Sequence, residues 1–514
     1  MVYHSLVKCA PSAILLLAVT GMPACAGSIR IIDASFTFPQ ADQIRVVVTA
    51  TSKDVPVGSY YTELQLLENE EIPQGFVVRN QRHVVPEKQE ITVTGDRDNG
   101  PFDEDPREGT YARTFSVKGW KPGLYALRVS AHNRPATGPY VLDTRSFPFR
   151  ITPERKLVEF DPKELEIPAK TVTIYKQQDV YACFPSLAQR EGEDTLSTGF
   201  GTRTRRSHID PTGGSKRMVS RDGGLTWAES TETFPLSQYR TKDGRLVRAS
   251  ARGWLYVNAE EKDRLVKEQR IVMDVRPGTV AYLSPDYYAQ VSEDGGKTWK
   301  MEVIPGPEYV AGLMPFRDES SYVRTTEGVR LVAIYGHRKG VKEREVFILR
   351  SADDGKSWQF IPLLPEGPQG VDLNETALVE TARGTVLAMA RSETDGFLWQ
   401  STSTDGGLTW SRPERTELWG HPAHLLRLPD GRILCTYGYR KFPMGIRACV
   451  SSDHGRTWPA EKRYVLRADG SGSGGDLGYP ITVRLSDGAL FTIYYFNGND
   501  NITHIAGTRW SLPE

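Results

Sequence analysis

The chain lacks a net charge: 64 lysines and arginines stand against 64 aspartates and glutamates over 514 residues. That balance removes the bulk electrostatic case for nucleic acid or an anionic membrane surface, both of which call for a cationic excess. Cysteine is also scarce. Two of the five, Cys9 and Cys25, fall in the first 26 residues. The remaining Cys183, Cys435 and Cys449 are too few for a disulfide framework. No stretch beyond residue 26 reaches the roughly 18 consecutive apolar residues of a membrane-spanning helix, so no integral membrane segment is expected once a leader is removed. With 39% hydrophobic and 25% charged residues, what is present is an ordinary globular composition, in a chain long enough for more than one core.

The first 26 residues read as an export signal: Lys8, the apolar run "SAILLLAV" and the small-residue site "ACA" ending at Ala26. Secretion or delivery to the periplasm is therefore expected. Met22 and Pro23 favour cleavage after Ala26 over lipid attachment at Cys25. Residues 28–153 alternate polar and apolar positions in segments such as "IRIIDASFTF", "IRVVVTATS" and "LYALRVSAHN", separated by turn residues. About seven such strands predict an antiparallel β-sandwich. "WKPGLYALRV" resembles a late strand of an immunoglobulin or fibronectin type III module, with Tyr125 at the corner position. Residues 154–170 form a charged, proline-containing linker.

Residues 171–514 are dominated by a repeat, and repeats declare architecture before anything else does. "SRDGGLTW", "SEDGGKTW", "SADDGKSW", "STDGGLTW" and "SSDHGRTW" place Asp222, Asp294, Asp353, Asp405 and Asp453 at separations of 72, 59, 52 and 48 residues. Most of these match one four-stranded propeller blade with its loops. A strand–turn–strand unit also recurs, as in "VETARGTVLAMAR", "LRLPDGRILCTYGYR" and "VRLSDGALFTIYYF". Counting the degenerate copy "LAQREGEDTLSTGF", there are six such units against five boxes. The fold class expected is all-β: a six-bladed β-propeller, its last blade completed by a strand near "TVTIYKQQ", behind the N-terminal sandwich. In the boxes, Ser and Asp side chains suit turn hydrogen bonds, Gly supplies positive φ and Trp covers space between blades. The boxes are read as structural, since a ring disperses them around its rim and gathers no calcium site. Cys435 and Cys449 flank the loop "RKFPMG" symmetrically, which leaves open a cross-strand bridge or two buried thiols.

With these boxes and this repeat, the region from about Val180 to Trp510 resembles the sialidase (neuraminidase) superfamily, whose members combine Asp boxes (BNR repeats) with a six-bladed propeller and a pocket on its axis. The resemblance implies roles for residues outside the boxes. In "NETALVETARGTVLAMAR" it implies Glu375 as the carboxylate that assists a tyrosine and Arg391 as a carboxylate-binding arginine, roles that suit a proton-accepting acid and a planar guanidinium fork. In "YGYRKFPMGIRACV" it implies Arg447 as a second such arginine, with Arg440 as the alternative. Tyr479 in "GGDLGYPITVRL" is implied as the nucleophile, a role for which a phenol needs a neighbouring base. Asp210 in "RTRRSHID" is implied as the general acid/base, with Asp194 as a second candidate and His208 as an imidazole able to assist. The superfamily's first arginine, in a Phe-Arg-Ile-Pro motif, is replaced in the stretch "ACFP" by Cys183, which removes a two-point carboxylate contact. Trp419 and His421 in "WGHPAHLLRL" are expected to line the pocket, Trp419 by stacking on a sugar and His421 by hydrogen bonding, whereas His424 is read as structural. No metal or cofactor is expected.

Three functions follow. The first is an exported sialidase-like exo-glycoside hydrolase of retaining mechanism that releases a terminal sugar, acidic or otherwise, from a glycan. The second is a polysaccharide lyase on uronic-acid glycans, with His208, His421 or Tyr479 removing the C5 proton. The third is a carbohydrate-binding propeller without turnover.

Overall fold

The computed structural model describes residues 28–513 apart from 54–59, 73–74, 78–89, 92–103, 108, 134–141, 204–212, 233, 235–238, 252–253, 269, 271, 284–286, 306–309, 316–317, 339–340, 368 and 471–475. Among the described residues strands dominate, and no helix is long and apolar enough to cross a membrane.

Two antiparallel sheets occupy the N-terminal region. One pairs Ser28–Gln40 with Gln43–Lys53 and then Thr110–Ser116; the other is centred on Tyr60–Ile72, Gly123–Asn133 and Leu142–Ile151. The period-2 alternation directs Ile44, Val46 and Val48 from the first sheet, and Tyr125, Leu127, Val129, Phe149 and Ile151 from the second, into one core. The Tyr125 hydroxyl turns back to donate to the Lys121 carbonyl at 2.7 Å, so the one polar atom of a buried ring is satisfied.

Among the described residues from Ala169 onward there are seven antiparallel sheets, six that follow one another along the chain and one inserted within the second of them. Four of them are built outward from Tyr181–Cys183, Val310–Pro315, Leu373–Ala382 and Ala423–Arg427. A fifth, of three strands, starts at Leu246–Ala251. The sixth takes three strands from the C-terminus and one from far upstream: Ala169–Tyr175 pairs with Thr503–Trp510, Ala169 opposite Trp510. This all-β arrangement is consistent with a β-propeller. The long spacing between the first two boxes has a local cause. A three-stranded sheet of Trp254–Asn258, Val272–Arg276 and Thr279–Leu283, with the helix Lys262–Lys267, is inserted between two strands of the second unit.

Each box closes on itself. In the fourth, the Ser403 hydroxyl donates to Asp405 Oδ1 at 2.7 Å and accepts from the Gly407 N–H at 2.8 Å, while Asp405 accepts from the Thr409 N–H at 2.9 Å and the Thr409 hydroxyl at 2.5 Å. The box glycines have a second duty. Gly407 has a φ of +84°, and a Cβ there would lie 2.6 Å from Leu331 of the preceding sheet; at Gly455 it would lie 2.5 Å from Leu387. Four of the five boxes therefore serve as close contacts between neighbouring sheets, whereas Gly296 of the second faces Leu246 of its own sheet.

The N-terminal sheets meet the last two sheets of the repeat region through Phe442, which is buried with Leu124, Ala126 and Phe160. Asn499 adds a two-point contact, accepting from the Ser146 N–H at 3.1 Å and donating to the Ser146 carbonyl at 3.2 Å. Cys435 and Cys449 lie directly opposite in register, and both thiols are free and buried.

Two predictions follow from this packing. Partial burial of Asp405 works against its ionisation, but the hydrogen bonds from the Thr409 hydroxyl, the Thr409 N–H and the Ser403 hydroxyl outweigh it and hold the carboxyl at a pKa of about 2. A pKa below the unfolded value of about 3.9 contributes stability that is present above about pH 4 and is lost as the pH falls towards about 2. Thermal midpoints followed by circular dichroism should therefore show Asp405→Ala costing more at about pH 6 than at about pH 2. Separately, Phe442→Ala removes a buried ring and should lower the unfolding free energy in urea by about 3 kcal/mol.

Candidate active site

The strand Leu373–Ala382 begins with an irregularity. Its pairing to Thr385–Ser392 jumps from Leu373 to Thr376, and Glu375 sits in the gap. The Asn374 side chain accepts from the Glu375 N–H at 2.8 Å, and the Thr376 hydroxyl donates to the Asn374 carbonyl at 2.5 Å. This local bonding replaces the missing ladder contacts. Glu375 is only 9% exposed, and a carboxylate so placed needs partners. It has two: Arg391 Nη1 at 2.7 Å from Oε2, and the Tyr479 hydroxyl, which donates to Oε1.

Tyr479 comes from the last sheet, where a second register break, between Gly478 and Ile481, frees it from the ladder. Its φ is +54°, an uncommon conformation for an aromatic residue. Phe184 lies edge-on to its ring at a centroid distance of 4.8 Å. Gly478 permits the approach, since a Cβ there would lie 2.8 Å from the His421 carbonyl oxygen. Burial, with the Glu375 carboxylate second, pushes the Tyr479 phenol well above its ordinary pKa. The resting tyrosine is therefore protonated, with its hydroxyl directed at Glu375.

Arg391 is held from its other side by Glu393, whose Oε1 is 2.6 Å from Nη2. Glu393 is also 3.8 Å from Arg344, itself paired with Asp372 at 2.8 Å. Charges thus alternate from Glu375 through Arg391, Glu393 and Arg344 to Asp372. Tyr335 is buried in the same field, its phenol pushed up by burial and then by Glu375. Glu393, Arg344, Asp372 and Tyr335 were not among the residues expected here. Glu393 had a signal, because two positions beyond Arg391 an acid at a strand end falls on the same face.

The arginine expected from the spacing to Tyr479 lies elsewhere. Arg447 donates to the Pro443 carbonyl at 2.6 Å and the Arg467 carbonyl at 2.7 Å, and it lies over the Tyr439 ring at 4.9 Å. Its strand, Met444–Ser451, is the third of its sheet, and its donors are spent on backbone. The alternative, Arg440, is at the site: Nε donates to the Leu477 carbonyl at 2.9 Å, and Nη2 reaches the Tyr495 hydroxyl at 3.4 Å, which itself donates to Asp476 at 2.9 Å. Asp194 is a structural residue, accepting from the Ser486 N–H and hydroxyl at 2.8 and 2.6 Å. Asp210 and His208 lie outside the described residues.

Trp419 and His421 stand together, ring centroids 4.6 Å apart, with the Lys441 ammonium 4.6 Å from the Trp419 ring centroid. His421 is 4% exposed, and neither ring nitrogen has a hydrogen-bond partner among the described residues. Burial, followed by the charges of Arg391, Arg440 and Lys441, holds its pKa well below the usual imidazole range, so it is neutral. His424 is placed structurally, Nδ1 accepting from the Thr482 N–H at 3.4 Å. Cys183 is fully buried beside Tyr181 and Leu187, in the core that also contains Tyr479. Among the described residues no three His, Cys, Asp or Glu side chains gather as ligands for a cation.

The segment that supplies Glu375, Arg391, Arg440 and Tyr479 falls within residues 369–492, which match the family model described as a BNR repeat-like domain. The chain carries a BNR repeat-like domain. No curated protein matches the sequence. A solved protein of unknown function from Dyadobacter fermentans DSM 18053 is similar, with 28% identity, coverage of 67% of this chain and 98% of that one, and a TM-score of 0.56. The Hadza microbial sialidase Hz136 has 15% identity over 94% of this chain and 96% of its own, at a TM-score of 0.45. A mutant of the NanB sialidase from Streptococcus pneumoniae has 11% identity over 89% and 95%, also at 0.45. At these values the two sialidases bear on nothing in the chemistry of the BNR repeat-like region.

Arg391 is the cation shared by the buried Glu375 and the partly buried Glu393, so its removal takes the paired guanidinium from Glu375 and leaves Glu393 to the more distant Arg344. Arg391→Met should cost about 3 kcal/mol or more of unfolding free energy. Urea titrations of both proteins at about pH 7 read this out, and a deficit below about 1 kcal/mol, the level of an exposed ion pair, would contradict the assignment.

Proposed function

We propose that the chain is an exported glycoside hydrolase that releases a terminal sugar from a glycan with retention of configuration. The six sheets that follow one another along the chain are read as six blades of a propeller, preceded by an immunoglobulin- or fibronectin-III-like sandwich. The observation that carries the proposal is the buried hydrogen bond from the Tyr479 hydroxyl to Glu375, with Arg391 on the second carboxylate oxygen. No purely structural purpose requires an acid and a phenol to meet at two register breaks in different sheets.

In the first step the phenol oxygen attacks the anomeric carbon while Glu375 takes the phenol proton. The glycosidic C–O bond breaks as Asp210 gives a proton to the leaving oxygen. In the second step water, deprotonated by Asp210, displaces the tyrosine from the anomeric carbon, and the phenoxide recovers its proton from Glu375. Arg391 keeps Glu375 ionised and aimed, and its own grip on Glu393 fixes that aim. A buried phenol with a raised pKa is a weak nucleophile, and general-base help of this kind contributes about 10²–10⁴-fold.

A lyase acting on a uronate glycan is the second reading. The observation in its favour is His421, a neutral buried imidazole able to accept a proton.

One assay separates the two. Wild-type protein is incubated with oligosaccharides bearing different terminal sugars, and both reducing ends and ultraviolet absorbance are followed. Hydrolysis yields a free terminal sugar without an unsaturated chromophore. Tyr479→Phe and Glu375→Gln should each reduce that release by about 10²-fold or more. Equal release by wild type and Tyr479→Phe would end the proposed mechanism, and an unsaturated product would select the lyase.

A further inference from the structure

We infer that Lys441 and His421, both against the Trp419 ring, together with the adjoining Arg440, form the subsite for an anionic group on the sugar, a carboxylate or a sulfate. This rests on reading the site as sugar-binding; it moves acid recognition away from Arg391, Arg447 and position 183 and, of the residues the resemblance offers for it, keeps only the alternative, Arg440.

Those arginines are already committed. Both terminal nitrogens of Arg391 are held by carboxylates, Glu375 at 2.7 Å and Glu393 at 2.6 Å. Arg447 is spent on backbone carbonyls. The third position holds the buried thiol of Cys183. An incoming acid would have to compete with internal carboxylates for the first and break backbone hydrogen bonds for the second.

The cations on the neighbouring loop are in the opposite condition. Arg440 is 8% exposed and directs its hydrogen bonds at neutral oxygens, the Leu477 carbonyl and the Tyr495 hydroxyl. Lys441 is half-buried over Trp419, and among the described residues neither cation is in a salt bridge. Burial pulls the Lys441 ammonium below its ordinary pKa, and among the described residues no carboxylate opposes it. Positive charge withdrawn from water without a counter-charge is costly, and an anion arriving between these groups supplies the missing partner. His421 adds the complement. Its two ring nitrogens are unpartnered, so the neutral ring offers one N–H to the anion and one lone pair to a sugar hydroxyl. The Trp419 face supplies a stacking surface for the ring that bears both.

The loop is built to hold this arrangement. Phe442 fixes it into the core shared with the N-terminal strand Gly123–Asn133, and Arg447 clamps the Pro443 carbonyl at 2.6 Å. Gly396 lets the rings seat closely: a Cβ there would come within 2.4 Å of Trp419 Nε1 and 3.1 Å of His421 Nε2. The subsite is therefore pre-organised.

The test is calorimetric titration of the full chain with D-glucuronate, D-galacturonate, N-acetylneuraminate and D-glucose 6-sulfate, against D-glucose, D-galactose and N-acetylmannosamine. At least one anionic sugar should bind about tenfold or more tightly than its neutral counterpart; whether carboxylate or sulfate binds identifies the source. Lys441→Gln should remove that preference while keeping the wild-type thermal midpoint. His421→Asn should weaken the same sugar and serves as the second variant if Lys441→Gln fails to fold. Equal binding of acid and neutral sugars, an equal effect of Lys441→Gln on both, or binding of no anionic sugar would overturn the inference. The two readings fail separately. Turnover confined to neutral glycosides would remove this subsite and leave the hydrolase, whereas an intact acid preference with a fully active Tyr479→Phe would do the reverse.

Discussion

The burial of one carboxylate sets the terms for the rest of the site. Glu375 has almost no contact with water, and an ionised acid in that position is tolerated only with a counter-charge and a hydrogen-bond donor close by. Arg391 and Tyr479 are those partners, and Tyr479 is 104 residues further along the chain. The contact exists only if the sheet that starts at Leu373 and the sheet that starts at Gly478 bring their first strands together. Both strands distort at the point of contact: each breaks register, and Tyr479 takes a positive φ. Strain of this kind persists where surrounding structure over-determines it. Here the determinants are Phe184 against one side of the phenol and the Gly478 backbone threaded past His421.

Much of the architecture was open to reading because it repeats. Five copies of one turn, each followed or preceded by the same strand–turn–strand unit, cannot be explained one residue at a time, and the spacing alone indicated antiparallel sheets of about four strands. The insertion of residues 254–283 was hidden because it lengthens one spacing and carries no repeat of its own. The site was legible in proportion to how local its signals were. Glu375, Arg391 and Tyr479 each lie within a short recognisable segment. Arg440 and Arg447 could not be told apart by distance along the chain, because that distance does not reveal which side of a strand faces the neighbouring sheet. Arg447 sits opposite Tyr437 within the ladder, where its donors turn to backbone, whereas Arg440 lies where the ladder ends. Lys441 was passed over for the opposite reason. A lone lysine in a loop normally points at solvent, and only the Trp419 ring beneath it and the absence of an acid beside it give it meaning.

The N-terminal region belongs to the same argument. A module that only bound glycan would need no particular contact with the loop at residues 440–443. The contact that exists is specific: Phe442 is buried among Leu124, Ala126 and Phe160, between the residues that carry positive charge at the site and the carbonyl that Arg447 clamps. The bracing also explains how Arg440 tolerates burial, since a guanidinium with no ionic partner among the described residues will swing towards water unless its backbone is held.

The same reasoning accounts for a cysteine at position 183, where the sialidase resemblance would place an arginine. A cysteine there is small and fully buried, so Phe184 closes over Tyr479 and Tyr495, at centroid distances of 4.8 and 5.4 Å. A guanidinium at the same place would bring a charge against a phenol that already faces Glu375 and Arg391, and would need an acid of its own. Space given up by that side chain is taken by aromatic packing, which secures the tyrosine in its unusual backbone conformation. Under the proposed mechanism, charge recognition is thereby separated from nucleophile activation: Arg391 serves Glu375, and the cations of the neighbouring loop are left to meet whatever enters beside Trp419.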